Sequence, residues 1–571
     1  MESGLTLSSF RYNMQKVWPY LLLFIIAFFV VYPIILLLIF SFVISQIGLE
    51  TEWGLQNWIS VFQEGQIRNA LIHTVTLTLA RQSIAFLIGL PIAWLVARTN
   101  LPGRNWLEFG FWVSFFLPIL PVTMGWVLFM DGNSGLLNQW LMMLPFIDEP
   151  VFEIFSWWGI VFAHLVGGTI AAKVMLLTPA FRNMDSTLDE AAYVSGASHF
   201  QTFFRIVLPI MSPAILMVVL LTTIKALEGF EVELFLGGSA GIEVYSTIIY
   251  RYINSPLPQH GIATVLSILV LIVLLPFVFL HQWLSKKGSH ATVTGKYRMV
   301  AKDLGKWKWP LFIVIFLLLI FATFIPIVLT MLGSVMRLFG YLSISNPFTL
   351  DHWRSAFSNS LFLSSLSNTL IIGLSATLAG ILVFSLIAYI SIKSKFKARS
   401  MMDFLTWMPT IIPGIVLSLG IFWVFLQTPL LNVFYGGYFI LICAILLGSI
   451  TLGTQIIKTS MVQLGNELEE AGWSCGASWA YTYFRIILPL TGPAIAVAGV
   501  YIFAAAARSA SLVALIQTAD TKPLSMLQLD FLGAGLYEPA SVIGVIILFL
   551  TIGVALVARL VGLNIGSKSG W

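Results

Sequence analysis

Long apolar blocks recur along the whole chain, and they restrict its fold more than any other feature. One of them, WPYLLLFIIAFFVVYPIILLLIFSFVI, begins at Trp18. A helix needs roughly 20 such residues to cross about 30 Å of hydrocarbon. Similar blocks are centred near residues 32, 84, 119, 168, 217, 273, 323, 378, 415, 448, 497 and 551. The sequence therefore predicts an all-α membrane protein with about twelve transmembrane helices.

The composition and the charge pattern support this prediction. Hydrophobic residues make up 58% of the chain and charged residues 10%, against about 45–50% and about 25% in soluble proteins. Basic loops tend to stay in the cytoplasm, so Arg11 and Lys16 place the N-terminus inside. The loops ARTNLPGRNW and KSKFKARS are also basic, whereas the segment DGNSGLLNQWLMMLPFIDEPVFEIF from Asp131 holds no Lys or Arg. With an even number of spans, we expect both termini in the cytoplasm and no nucleic-acid partner.

Two polar segments of the chain read almost alike. DEAAYVSGASHFQTFFRIVLPIMSPAI begins at Asp189, and EEAGWSCGASWAYTYFRIILPLTGPAI begins at Glu469. The offset between matching positions is constant throughout the two segments, at 280. Each half of the chain has four apolar blocks before its polar segment and two after it. Because six is even, both halves enter the membrane from the same side, which predicts parallel repeats related by an axis along the membrane normal.

The repeat divides the chain into three parts. We expect a first six-helix half over residues 1–284, a basic cytoplasmic linker over 285–309 and a second six-helix half over 310–571. The linker carries seven Lys and Arg against one acid, Asp303. Its charge follows from a cytoplasmic location, and contact with anionic lipid headgroups is an alternative explanation.

The polar segments, over residues 186–209 and 466–489, have features of a short cytoplasmic helix followed by a turn. Ser186 or Thr187 can cap the helix, and acidic residues follow in its first turn. Gly196 removes a side chain where the helix must turn or be approached closely. A simple connector between spans does not require the same spacing twice. Two matching cytoplasmic surfaces therefore favour a partner that is itself a pair.

The spacing of these residues resembles the EAA motif of permease subunits of binding-protein-dependent ATP-binding-cassette importers. The first segment matches in full, at Glu190, Ala191, Ala192, Gly196, Ile206, Leu208 and Pro209. The second segment matches at Glu470, Ala471, Gly476, Ile486, Leu488 and Pro489, and has Gly472 where the motif has alanine. The resemblance implies the type I importer fold, also called the MetI-like permease fold, in a bacterial inner membrane.

The resemblance also implies the partners and the mechanism. Each segment would form a coupling helix that sits on one of two copies of an ATP-binding subunit, and these subunits would bind ATP and Mg²⁺. A periplasmic or lipid-anchored solute-binding protein would deliver the substrate. Segments starting at Gly238 and Gln517 would contact it. Gly472 would slightly weaken the second helix, which leaves open whether the two coupling sites are equivalent.

Nothing in the sequence indicates an enzyme or a bound cofactor. The phosphate-binding pattern G-x-x-x-x-G-K-[ST] is absent, because His290 and Val300 stand where its first glycine would precede the Gly-Lys pairs at Gly295 and Gly305. The histidines are scattered without metal-ligand spacing, and two cysteines give no disulfide framework. We therefore expect no catalytic residue and no metal site, with ATP hydrolysed by the partner subunits.

The segment IKALEGFEVELFLGG holds the most conspicuous ionisable residues near a span. Its charged residues lie late in the fifth block or just beyond it, near the external end of the pathway, where charge is costly and often functional: Lys225, Glu228, Glu231 and Glu233. The carboxylates are candidates for a transient track for ferric ion, or Lys225 and Glu228 neutralise each other. The offset of 280 relates Glu228 to Arg508, so a pair across the two halves, acting as a gate or a structural lock, is a further hypothesis.

The substrate is the least determined property. A fused permease with two motifs, together with the region from Ala507, most resembles ferric iron permeases. Thiamine permeases are also fused, and GFEVELFLGG is like stretches of polyamine and phosphonate permeases. An ATP-independent secondary transporter is the alternative class, although such proteins more often place ionisable residues at mid-span than repeat a docking helix.

Overall fold

The chain folds into a bundle of membrane-spanning helices. A computed structural model describes residues 2–184, 195–288, 302–394 and 396–560. Apart from three isolated β-bridges, the regular structure of these residues is helical. Nine helices of the described residues are long and apolar enough to cross a membrane, and three bent pairs bring the number of spans to twelve. Every predicted block falls on one of these spans.

We number the spans in chain order. In the first half they are span 1 (Val17–Phe40), span 2 (Gly65–Arg98), span 3 (Arg104–Phe116 and Ile119–Met130), span 4 (Trp157–Arg182), span 5 (Phe203–Leu227) and span 6 (His260–Phe277). In the second half they are span 7 (Gly305–Val335), span 8 (Ser360–Ile392), span 9 (Arg399–Thr410 and Gly414–Gln427), span 10 (Tyr438–Val462), span 11 (Trp479–Leu490 and Gly492–Arg508) and span 12 (Tyr537–Val554). Helices between the spans include Gln56–Gln63, Leu136–Leu141, Tyr245–Ile253, Asp351–Ser358, Glu467–Ser474 and Leu524–Gly533.

The predicted duplication is visible in matching local structure. Span 5 opens with a π-helical turn at Phe203–Val207, and span 11 contains the same turn at Tyr483–Ile487. These two turns have the offset of the polar segments, and so do the ends of spans 4 and 10 at Arg182 and Val462. The exact bounds of the two halves stay predictions.

Earlier in each half, equivalent positions are related by a second, larger offset of 295. This offset relates Gly65 to Ser360, where spans 2 and 8 begin, and it also relates the second segments of spans 3 and 9. The offset changes because the connection between spans 3 and 4, residues 131–156, is longer than its counterpart, residues 428–437. The two offsets identify equivalent residues for spans 2 to 5 and 8 to 11.

The first span of each half packs on the third span of the other half. Span 1 lies against span 9, where a Cβ at Gly420 would be 2.9 Å from the Cβ of Pro33. Span 7 lies against span 3, where a Cβ at Gly125 would be 2.3 Å from the carbonyl oxygen of Pro326. Gly125 and Gly420 are equivalent residues at the offset of 295. Close packing through small residues holds helices together in lipid, so this exchange interlocks the halves.

Spans 3 and 9 are broken at equivalent positions. Span 3 bends by 95° and span 9 by 113°. Pro118 and Pro413 directly precede the second segments, and the residue before a proline disfavours the helical conformation. Each break leaves carbonyl groups at the end of one segment and N–H groups at the start of the next without helical partners. These backbone groups lie where the two halves meet.

The end of the predicted linker is bound to the first half. Lys302 forms a β-bridge with Thr99, and Asp303 accepts a hydrogen bond of 2.6 Å from the side chain of Asn100. Hydrogen bonds from the N–H of Gly305 and from Asn100 lower the pKa of Asp303. Residues 289–301 of the linker lie outside the described residues.

Candidate coupling segments and translocation centre

Gly196 and Gly476 occupy the same turn in the two polar segments. Their φ angles are +81° and +80°, in the left-handed region that side chains other than glycine rarely adopt. No heavy atom of the described residues lies within 4 Å of a Cβ built at either residue. Of the two reasons for glycine that the sequence left open, the structure supports the turn, and the described residues show no close approach.

The second polar segment contains the predicted short helix, Glu467–Ser474. Three carboxylates, including that of Glu470, lie in its first turn, at the positive end of the helix dipole. Glu470 and Ala471 are exposed. The neighbouring Glu469 is buried and accepts a hydrogen bond of 2.8 Å from the hydroxyl of Tyr389 in span 8. Glu469 therefore anchors the helix to its own half, a role that the motif did not indicate.

The outer face of this helix is partly apolar. Leu468 and Trp473 are exposed beside Glu470. Gly472 is half-buried, and a Cβ there would lie 3.1 Å from the hydroxyl oxygen of Thr482. The residue that departs from the motif thus packs against Thr482, in the helix Trp479–Thr482 that follows the turn. The corresponding residues of the first segment, Glu190, Ala191 and Ala192, lie outside the described residues.

The acidic segment 228–233 connects the two halves. The carboxylate of Glu228 pairs with Lys225 at 2.9 Å, as one of the predicted alternatives required, and accepts a hydrogen bond of 2.8 Å from the N–H of Gly414 in span 9. Glu231 accepts two hydrogen bonds of 3.2 Å, from the N–H groups of Ala510 and Ser511. Ser511 is equivalent to Glu231 at the offset of 280. Equivalent residues make contact only close to the pseudo-twofold axis, so this segment lies near that axis, between the two halves.

The predicted ion pair between Glu228 and Arg508 is not formed. Arg508 instead donates hydrogen bonds of 3.3 Å to the carbonyl oxygens of Phe115 and Phe116, at the end of the first segment of span 3. Glu228 binds the first N–H of the second segment of span 9. The two equivalent residues therefore reach across the interface to the two equivalent breaks. The predicted pair is wrong, although both residues do lie at the interface between the halves.

Helix electrostatics explain which charge goes to which break. The N-terminus of a helix is positive and favours a carboxylate, whereas the C-terminus is negative and favours a guanidinium. Glu228 meets the helix start at Gly414, and Arg508 meets the helix end at Phe116. Each charge also satisfies backbone groups that the break leaves without partners.

Lys225 lies close to the same centre. Its side chain is 44% exposed although it belongs to span 5, and its partner Glu228 is bonded to the second half. A charged side chain facing lipid here would be costly, so we infer that Lys225 faces the space between the halves. Tyr501 of span 11 lies near Lys225, Glu228 and Arg508. Sequence reasoning missed Tyr501, because a tyrosine in a span has no distinguishing pattern.

A buried ionic cluster holds the third glutamate of the segment. Glu233 is bound by Arg81 of span 2 and by His164 of span 4, with both distances 2.9 Å to the same carboxylate oxygen. Glu233 and Arg81 are almost fully buried. The other carboxylate oxygen of Glu233 has no hydrogen-bond partner among the described residues. Glu233 thus fixes the segment 228–233 to its own half, whereas Glu228 and Glu231 bind the other half.

The cluster exists in one half only. Lys173 of span 4 is also buried and lies near Arg81. The residues equivalent to Arg81, His164, Lys173 and Glu233 are Ala376, Ala444, Gly453 and Val513. Arg81 and Lys173 lie near the middle of their spans, and such residues are functional candidates by their cost alone. That signal was present in the sequence and was not used for these two residues.

A cleft of about 620 Å³ lies at the end of the bundle remote from the coupling segments. It is lined by Gly238, Ser239 and Tyr250 of the first half and by residues 529–537 of the second, including Asp530. The two segments predicted to face the outside, which start at Gly238 and Gln517, therefore meet at one cleft between the halves. Among the described residues, no group of three His, Cys, Asp or Glu side chains is placed to hold a metal ion.

Comparison with protein families gives the relationship directly. Residues 89–290 and 380–565 each match the family described as the binding-protein-dependent transport system inner membrane component. The chain belongs to this family. It carries the family domain twice in one polypeptide, as the repeat predicted, and it is a permease of a binding-protein-dependent importer in the inner membrane.

Individual relatives add detail. The chain is 26% identical to the ferric transport system permease protein FbpB of Actinobacillus pleuropneumoniae over 554 residues, which cover 94% of this chain and 76% of that protein. It is 29% identical to the spermidine/putrescine permease PotB of Escherichia coli (strain K12) over 209 residues, 37% of this chain and 75% of that protein. A crystal structure of a bacterial ABC transporter that imports alginate matches with 20% identity and a TM-score of 0.39, over 50% of this chain and 100% of that one.

Proposed function

We propose that this chain is the fused permease of an ATP-driven importer of ferric iron. The observation that supports iron most is the similarity to a ferric transport permease along 94% of the chain, through both halves and the linker. The similarity to a polyamine permease covers 37% of the chain. A polyamine, thiamine, phosphonate or another small solute is therefore the second candidate for the same type of importer.

In this proposal the chain hydrolyses no ATP itself. Two copies of an ATP-binding subunit, which hold ATP and Mg²⁺, dock on the coupling segments 186–209 and 466–489. The exposed face around Leu468, Glu470 and Trp473 supports such docking, because apolar side chains and a carboxylate project outward from a short helix. Both termini and the coupling segments then lie in the cytoplasm.

The substrate passes between the halves, and the centre around Glu228, Glu231 and Arg508 acts as the gate. All three side chains are engaged in contacts across the interface. Opening a pathway requires these contacts to break, which the movement of the coupling segments would drive. A binding protein would release the substrate at the cleft next to Asp530 and Tyr250.

The test is transport by the complete importer in liposomes. The chain is purified with its ATP-binding subunit, and the binding protein is supplied with radioactive ferric iron or with radioactive spermidine. We expect ATP-dependent uptake of iron and none of spermidine. Uptake of spermidine alone would show that the substrate proposal is wrong, and full uptake with a hydrolysis-deficient ATP-binding subunit would support a secondary transporter instead.

A further inference from the structure

A basic side chain at the end of a neighbouring span binds the chain where each coupling segment begins. In the first half, Arg98 is the last residue of span 2 and is almost fully buried. Its guanidinium donates a hydrogen bond of 2.8 Å to the carbonyl oxygen of Met184. Met184 lies just beyond span 4, shortly before the first coupling segment. The contact therefore joins span 2 to the point where that segment begins.

The second half has the same contact with a different cation. Lys393 directly follows span 8, and its ammonium group donates hydrogen bonds to the carbonyl oxygens of Leu464 and Gly465, at 2.5 and 3.1 Å, and to the side chain of Asn466, at 2.9 Å. An ammonium group has three N–H donors, so Lys393 uses all of them here. These three acceptors directly precede the coupling helix Glu467–Ser474.

The two contacts are equivalent under both offsets of the repeat. Arg98 and Lys393 are related by the offset of 295, like the starts of spans 2 and 8. Met184 and Leu464 are related by the offset of 280, like the ends of spans 4 and 10. The positive-inside rule explains basic residues in these loops, but it requires neither burial nor a fixed acceptor. Lys397, in the same basic loop, is exposed and shows what orientation alone would produce.

Span 2 continues from this contact to the translocation centre. Arg98 and Arg81 belong to one helix, and a rise of about 1.5 Å per residue separates them by about 25 Å. Arg81 binds Glu233 in the segment whose other glutamates bond to the second half. These contacts form a continuous physical connection from Met184 to Gly414, and such a connection needs a test of energetic coupling.

We propose that Arg98 and Lys393 are positioning residues that transmit movement of the coupling segments to spans 2 and 8. The inference rests on the proposed ATP-driven function. Each residue fixes the start of a coupling segment to the end of a span, so displacement of the segment displaces the span. Without the basic side chain the ATP-binding subunits still hydrolyse ATP, but fewer substrate molecules are transported per ATP hydrolysed.

The experiment measures uptake per ATP hydrolysed in liposomes that contain the complete importer and iron-loaded binding protein. The variants are Arg98→Met and Lys393→Met, which remove the donors, Arg98→Lys and Lys393→Arg, which keep a cation, and Lys397→Met as the matched control. We expect uptake per ATP to fall about tenfold in Arg98→Met and Lys393→Met. It should reach at least half of the unmodified value in the two variants that keep a cation, and it should stay unchanged in the control.

Each other outcome overturns the inference. A wild-type ratio in both methionine variants shows that the contacts transmit nothing. Failure of either methionine variant to co-purify with the ATP-binding subunit, when its conservative counterpart does so, shows that the contact serves folding. The unmodified chain is assayed without ATP before any variant is compared. If it takes up iron in that assay, the proposed ATP-driven function is wrong, and this failure is distinct from a failure of the present inference.

Discussion

The segments EGFEVE, residues 228–233, and RSASLV, residues 508–513, occupy equivalent places in the two halves but differ in chemistry. The first contributes three carboxylates, and the second contributes one guanidinium and two backbone N–H groups. Both reach the break in the third span of the other half. The comparison shows that the repeat preserves the positions of contact across the interface while the charges have diverged.

The divergence extends behind the segments. In the first half Glu233 is held by Arg81 and His164, and in the second half the equivalent positions are apolar. Val513, the counterpart of Glu233, is 1% exposed and lies in the hydrophobic core. A buried ion pair is not an efficient way to gain stability. Its presence in one half therefore suggests a role in fixing the acidic segment rather than in stabilising the fold.

The largest expected effect comes from removing one member of the buried cluster. Glu233→Ala leaves the charge of Arg81 buried without its anion, and breaking such a pair typically costs about 3–5 kcal/mol. The matched change in the other half, Val513→Ala, removes two methyl groups and should cost about 1.6 kcal/mol. Thermal unfolding of the purified proteins in detergent measures both. Equal losses would show that the cluster is not energetically distinct from the apolar half.

A double variant sharpens this result. Arg81→Met with Glu233→Leu removes both charges at similar volume, and such replacement of a buried pair is often neutral or stabilising. We therefore expect the double variant to be more stable than Glu233→Ala in the same unfolding measurement and to transport less than the unmodified protein. A double variant with full transport would mean that the charges in the first half are dispensable for function.

Exchanging the charges of Glu228 and Arg508 should have the next largest effect. A hydrogen bond to a charged group contributes about 1.5–3 kcal/mol, so we expect Glu228→Arg and Arg508→Glu each to reduce uptake at least about tenfold. The double exchange should not restore uptake, because each new charge would face a helix end of its own sign. Rescue by the double exchange would show that the two residues do pair during transport.

A surface ion pair provides the control for the exchange. Asp351 and Arg354 form a pair of 3.4 Å with both side chains exposed. Exposed pairs contribute about 0–1 kcal/mol, so the single reversals Asp351→Arg and Arg354→Asp should change uptake little. Their combination should restore what is lost, since these residues bind each other directly.

The turn glycines test whether the two coupling segments are equivalent. Gly196→Val and Gly476→Val place a branched side chain at a positive φ, which costs about 1–3 kcal/mol. We expect ATP-driven uptake to fall in both variants and less in Gly196→Asn and Gly476→Asn, because asparagine tolerates this conformation. Gly553→Ala, in a helix and with open space around it, is the control. A fall in only one variant would show that one coupling site dominates.

The spans and the repeat were predictable because each produces a pattern in the sequence. Apolar blocks of sufficient length predicted every span, and a constant separation of matching residues predicted the duplication. The polar residues of the repeated segments predicted a short helix, which the second segment contains, and a turn was one of the two reasons given for its glycine, Gly476. Each of these features can be recognised in the sequence itself, so no knowledge of the tertiary fold was needed.

The interface between the halves was not predictable in the same way. The offset correctly related Glu228 to Arg508, yet it did not reveal that both meet broken helices. Pro118 and Pro413 signalled the breaks, but which charge lies at a helix start or a helix end depends on how the halves are placed. The buried Glu469 was likewise overlooked, since burial of one of two adjacent carboxylates is decided by the position of Tyr389.

The smallest expected effect concerns the one departure from the motif. Gly472→Ala restores the alanine that the first segment has as Ala192. Alanine in a helix is favoured over glycine by about 1 kcal/mol, but its Cβ would lie 3.1 Å from the hydroxyl oxygen of Thr482 and 3.4 Å from Ile486. These opposing contributions should nearly cancel, so we expect uptake per ATP within about twofold of the unmodified protein and stability within about 0.5 kcal/mol. A severalfold loss would show that the closeness of the helix to Thr482 is itself required, and that the two coupling segments have diverged in function as the two acidic and basic segments have in charge.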